Sequence, residues 1–257
     1  MKIAIIGGSL CTQVNGLTGV TEERIKTPFG EPSSNLMMGK VNGLDIVYLN
    51  RHGIDHNLEP HQINYRANMF ALKLLDVTHI IAIAAVGGIT RNMSPLTCVV
   101  PDQLIDYTYG RMQTYNDGYE GDVTHIDFSY PYDNVLRYKL SSAAARNDID
   151  CEVRATYGVT QGPRLETIAE IKRMRRDGCH IVGMTGMPEA SLARELDMDY
   201  ANLSLVVNWA AGADLIGRKS NYKKHLGISM AEIKKYIVDG NEIIDTVLST
   251  TISSIAV

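Results

Sequence analysis

The sequence has no long apolar run, no paired cysteines, no surplus of positive charge, and only three phenylalanines and one tryptophan. Each absence excludes something. No stretch approaches the ~20 apolar residues that a bilayer-crossing helix needs. The opening MKIAIIGGSL is too short in its apolar part to read as a secretory signal. Cys11, Cys98, Cys151 and Cys179 are scattered and form no CxxC pair, which fits reduced thiols in a cytoplasmic protein and argues against a disulfide frame or a zinc site. Lys and Arg number 25 against 29 Asp and Glu, a net charge of −4, so no global basic field invites nucleic acid. The segment AIIGGSL has adjacent glycines and lacks the third one of a dinucleotide fingerprint.

What remains is a chain of 257 residues, 45% hydrophobic and 21% charged, able to bury a large core. Strand-like runs fall at 3–6, 45–49, 79–85, 98–100, 153–159, 180–182 and 200–207. Helical spacing fits 62–75, 134–146, 165–176, 188–196 and about 229–250, where Ile233, Ile237, Ile244 and Val247 repeat on one face. That alternation predicts an α/β fold with a largely parallel or mixed sheet covered on both faces. With no repeat, low-complexity tract or linker, residues 1–257 read as a single domain. Function is then expected in the loops that leave the strand ends.

Several of those loops are unusual. Gly7-Gly8-Ser9 is either a structural turn or an anion cradle, with backbone N–H groups and the Ser9 hydroxyl as donors. Arg51, His52, His56 and His61 share one loop. Its readings are phosphate recognition by a guanidinium beside an imidazole, a metal site, or solvated charges; Gly53 and Pro60 remove the helix that would put His52 and His56 on one metal. The small residues ending IAIAAVGG allow a ligand near the backbone or simply tight packing. Glu166 in QGPRLET is a first-turn partner of a helix dipole or a site carboxylate. Met184 and Thr185 lie in a loop, and Pro188-Glu189 reads as an ordinary helix start. Asn208, in LSLVVNWAAG, is an amide at the end of a core strand.

Taken together, Gly7-Gly8-Ser9, TPFGEPS, RHG, NYRAN, GPRLET, MTGMPEA and the Asn208 loop resemble the trimeric purine nucleoside phosphorylase and methylthioadenosine phosphorylase family, from Gly7 to about Ile252. The resemblance implies an α/β sheet partly closed into a barrel and flanked by helices. It implies a homotrimer, which could pair into a dimer of trimers. It also implies reversible phosphorolysis of a purine nucleoside, with inorganic phosphate as co-substrate and no metal or organic cofactor. On that basis Ser9, Arg51, His52, the Ala85 backbone and Thr185 are expected around phosphate, Met184 under the ribose, and His125 reaching a neighbouring subunit's 5′ group. Ala84 stands where relatives often carry a hydroxyl.

The base is expected to be a 6-oxopurine. Methylthioadenosine enzymes carry aspartates at the positions of Asn208 and Ala210. An asparagine instead can donate to O6 and accept from N7–H. An ionised Glu166 matches the N1–H of hypoxanthine or guanine, where adenine would present a second acceptor. At the 5′ end Met230 takes the place of a histidine, or is simply core. A thioether suits a methylthio group better than a hydroxyl. The two ends together describe 5′-methylthioinosine, with inosine or guanosine, then methylthioadenosine, as the alternatives. The basic stretch 217–225 is either a gate or a solvated loop.

Overall fold

A computed structural model describes residues 1–116, 125–213 and 228–256; the 217–225 stretch lies outside the described residues. Its centre is four parallel strands side by side: β4 (Leu44–Asn50), β1 (Lys2–Gly7), β5 (His79–Gly88) and β11 (Asp199–Trp209). Side chains alternate across them. Ile3 and Ile5 pack with Leu136 and Leu140 of α2 (Asn134–Arg146) and with Ile244 and Val247 of α5 (Met230–Ile255). Ala4 and Ile6 face the other way, towards Met69 and Leu72 of α1 (Tyr65–Leu74) and Leu192 of α4 (Glu189–Glu195). Because helices cover both faces, these strands are mostly apolar on both sides, with Asn202 and Ser204 of β11 buried and bonded to each other.

The sheet forks at β5. One branch continues through β10 (Ile181–Gly183), β9 (Thr156–Val159) and β7 (Gln103–Asp106). The other runs through β11, β6 (Cys98–Val99) and β8 (Cys151–Glu152). After short breaks β6 leads into β7 and β8 into β9, with Val100 N–H donating to Glu152 and Asp102 N–H to Ala155 across the gap. The branches therefore curl towards each other as a partly closed barrel, the shape expected from the resemblance. No helix among the described residues is long and apolar enough to cross a membrane.

Several boundaries differ from expectation. Of the 153–159 run only the second part is a strand, β9; its start is a bend that separates β9 from β8 before it. Two outer strands, β2 (Thr18–Glu23) and β3 (Leu36–Val41), were not expected; β2 is exposed throughout and has no apolar alternation to betray it. The 165–176 helix starts later, as α3 (Ile168–Arg176), because Thr167 caps it in a reciprocal capping box with Glu170. Glu166 thus precedes the cap and is not a first-turn dipole partner.

Candidate active site

The ends of β1, β5, β10 and β11 converge with the start of α5 around a cavity of about 290 Å³. Its walls include Ser9, Arg51, His52, Ala84, Ala85, Glu166, Met184, Thr185, Asn208 and Met230. Every site residue expected from the sequence is there except His125, which is exposed and lines no part of it.

At one end β1 stops at Gly7, and Gly8 lays bare backbone against its neighbours. A Cβ on Gly8 would sit 3.2 Å from Arg51 Nη1 and 3.4 Å from His52 Cδ2. Arg51 is buried, and its bidentate edge is not turned to a ligand. Nε and Nη2 donate to Glu189 at 2.7 and 2.8 Å, and Nη1 donates to the Ile83 carbonyl at 2.9 Å. A phosphate could reach only the Nη protons that those bonds leave free. Glu189 has no exposed surface and also accepts from the Tyr200 hydroxyl at 2.8 Å. A residue that reads locally as a helix start is therefore the counter-charge of the site.

His52 is fixed by its backbone. Its Nδ1 lies 2.8 Å from the Leu58 carbonyl, which can only accept, so Nδ1 carries the hydrogen. Burial, reinforced by the Arg51 charge, pushes its pKa down to about 4. The ring is neutral at neutral pH with Nε2 bare. His56 packs beside it, ring centroids 4.7 Å apart, and its Nε2 is 3.3 Å from Ser9 Oγ. No group of three or more His, Cys, Asp or Glu among the described residues is placed to hold a metal ion.

At the other end a β-bulge aims Asn208. The β11–β5 register slips after Val206, so that Asn208 pairs with Gly87 and Val207 is the extra residue. Asn208 Nδ2 donates to the Trp209 carbonyl at 2.8 Å, which fixes the amide's orientation and leaves Oδ1 and one N–H free. Gly87 opposite leaves room: its Cβ would approach Nδ2 to 3.4 Å. Glu166 is half-buried. Its Oε1 accepts from the Thr160 hydroxyl at 2.7 Å, and burial raises its pKa against that bond. Met230 and Ile233, one turn apart on α5, form the remaining wall with Ile237.

Arg111, absent from the expectations, ties the loops together. It is buried, with its guanidinium 5.3 Å from the Tyr65 ring centroid. It donates to the carbonyls of Gln161 at 2.8 Å and Met184 at 2.9 Å, and also to those of Thr160 and Met187. No local pattern around YGRMQ announces this.

The family description "Phosphorylase superfamily" matches residues 2–236. A protein of Pseudomonas syringae pv. tomato named "Probable S-methyl-5′-thioinosine phosphorylase" is 47% identical over 251 residues, 98% of each chain. A "Probable 6-oxopurine nucleoside phosphorylase" of Thermococcus kodakarensis is 42% identical over 241 residues, 88% of this chain and 90% of that one. Among solved structures, a methylthioadenosine phosphorylase from an antarctic soil metagenomic library superposes with a TM-score of 0.86 at 35% identity, over 99% of this chain and 86% of that one. The Schistosoma mansoni methylthioadenosine phosphorylase in complex with adenine gives 0.87 at 29% identity, over 99% and 92%. With the family description matched over residues 2–236 and a relative 47% identical over 98% of the chain, this chain belongs to the phosphorylase superfamily.

Proposed function

We propose that the protein catalyses the reversible phosphorolysis of a 6-oxopurine nucleoside, with 5′-methylthioinosine preferred, giving hypoxanthine and 5-methylthioribose 1-phosphate in purine salvage. The observation that carries this reading is the shared cavity. The amide of Asn208, the carboxylate of Glu166, Ser9, His52 and Thr185, and the apolar side chains of Met230 and Ile233 all line it. The names of the relatives point the same way.

A phosphate oxygen forms a bond to C1′ as the C1′–N9 bond breaks, and the electron pair leaves with the purine. The sugar becomes cation-like between phosphate and base, so holding phosphate against C1′ supplies both proximity and charge. Ser9, the Nη protons of Arg51 that its buried bonds leave free, the Ala85 backbone and Thr185 hold the phosphate. His52 Nε2, bare and neutral, accepts a hydrogen bond from the phosphate O–H. Met184 packs under the ribose. Asn208 donates to O6 and accepts from N7–H, while Glu166 accepts from N1–H. In the balance, HPO₄²⁻ loses one proton and the released base gains one. The protein acts in the cytoplasm as a homotrimer, in which His125 of each chain serves a neighbour's 5′ end. Phosphate is the co-substrate, and no cofactor takes part.

The test is kcat/KM for methylthioinosine, inosine and methylthioadenosine, each with and without phosphate. Methylthioinosine should be fastest and base release should need phosphate. Preference for methylthioadenosine would overturn the assignment of Asn208 and Glu166. Turnover without phosphate would make the enzyme a hydrolase.

A further inference from the structure

We propose that Thr160 is a positioning residue for base choice: its hydroxyl occupies one oxygen of Glu166 and leaves the other to meet the purine N1–H. This rests on the reading of Glu166 as the base-binding carboxylate.

Thr160 cannot easily point elsewhere. It follows β9 directly and is buried. Its N–H donates to the Gly183 carbonyl at 2.8 Å, and its own carbonyl accepts from Arg111. With both sides of its backbone held, the side chain has two acceptors in reach: Glu166 Oε1 at 2.7 Å and the Gly183 carbonyl at 3.3 Å. A hydroxyl has one proton, and the shorter contact to the charged oxygen takes it.

That bond sets charge as well as direction. Burial favours the neutral acid at Glu166, and the Thr160 hydroxyl is the largest influence opposing it. The other charged groups around the carboxylate offset one another. Arg164 and Glu170 are locked together by two bonds of 2.9 and 2.7 Å. Asp106 and Arg173 stand across an adjoining cavity that Glu166 also lines. Across the main cavity His52 is neutral and Arg51 is matched by Glu189. Without the hydroxyl, Glu166 holds its proton to higher pH. A protonated carboxyl offers an O–H, which matches the bare N1 of adenine and mismatches N1–H.

The experiment compares Thr160→Val and Thr160→Ser, each alone and with Glu166→Gln, by kcat/KM on methylthioinosine and methylthioadenosine from pH 5 to 8. Thr160→Val should lower the oxo-to-amino preference about tenfold, the scale of one hydrogen bond to a charged group. It should also move the acid limb of the methylthioinosine profile to higher pH. Thr160→Ser should restore both. In the Glu166→Gln background Thr160→Val should change nothing further, which a purely structural role would not produce. An unchanged ratio and limb in Thr160→Val, or an equal loss in the Glu166→Gln background, overturns the proposal. If the valine variant does not fold, Thr160→Ala is held to the same criteria. Wild-type preference for methylthioadenosine would instead overturn the reading of Glu166 itself, without any Thr160 variant.

Discussion

Arg51 and Glu189 meet through two bonds of 2.7 and 2.8 Å with both side chains buried, whereas Glu166 and Asn208, in the same cavity, are half-exposed. Each of the latter has one short bond, to the Thr160 hydroxyl and the Trp209 carbonyl, and keeps hydrogen-bonding capacity for a ligand. In the proposed reaction the first end would serve a co-substrate that is the same for every nucleoside, and it is built into the core. The second would distinguish one purine from another, and it stays adjustable. A fold can change its base preference without disturbing its phosphate machinery when the two ends are anchored this differently.

The largest effect should come from the buried pair. Glu189→Gln keeps the volume but strands the Arg51 charge, which costs about 3–5 kcal/mol in buried pairs. Urea unfolding should show that loss, together with a weaker KM for phosphate. The ratio of methylthioinosine to methylthioadenosine turnover should stay within about twofold; a larger change would mean that the ends are not independent.

Asn208→Asp should do the opposite, altering selectivity while leaving the unfolding midpoint near that of the parent. A carboxylate there can accept from a 6-amino group and repels O6, so preference should move about tenfold towards methylthioadenosine, within the 1–3 kcal/mol of a mismatched buried polar group. The shift stays partial, since Ala210 supplies no second carboxylate and Glu166 still opposes adenine.

That division also explains what could be read in the sequence. The central strands announced themselves because both faces are buried and most of their inner residues are apolar. The candidate site residues came from turn chemistry and from resemblance, and nine of the ten line one cavity. The Asn42-Gly43 pair, both at positive φ, joins β3 to β4 as the kind of two-residue hairpin such a dipeptide favours, so β3 was legible and overlooked. Glu189, Arg111 and Thr160 were not legible. Glu189 lies 138 positions from Arg51, Arg111 donates to carbonyls of other loops, and Thr160 meets Glu166 six residues on across a bend; no local spacing encodes such meetings. The bulge at Val207 was equally silent, because it depends on register against β5.

The two ends should also respond oppositely to acid. His52 titrates near 4 in the folded protein against about 6.5 in an unfolded chain. As pH falls, the unfolded chain binds this proton first. The stability owed to a neutral His52 is complete above about 6.5 and is lost as pH drops towards 4. Glu166 is raised by burial, so the folded state takes its proton more readily and acid favours folding there. His52→Asn should therefore flatten the fall in urea midpoint between pH 6.5 and 4. A variant that tracks the parent through that window would show that the imidazole is already charged in the folded protein.

The smallest effect is expected at the 5′ end. Met230 is 57% exposed, whereas Ile233, one turn on, is 9% exposed. A side chain more than half in solvent covers only a few tens of Å² of a methylthio group, worth under about 1 kcal/mol at roughly 25 cal/mol per Å². Met230→Ala should then lower kcat/KM for methylthioinosine about threefold relative to inosine, leaving base selectivity and phosphate KM untouched. Loss beyond about tenfold would require a second wall pressing the methionine onto the ligand. In the proposed trimer that wall would be the neighbour's His125, and His125→Ala should then reproduce the loss.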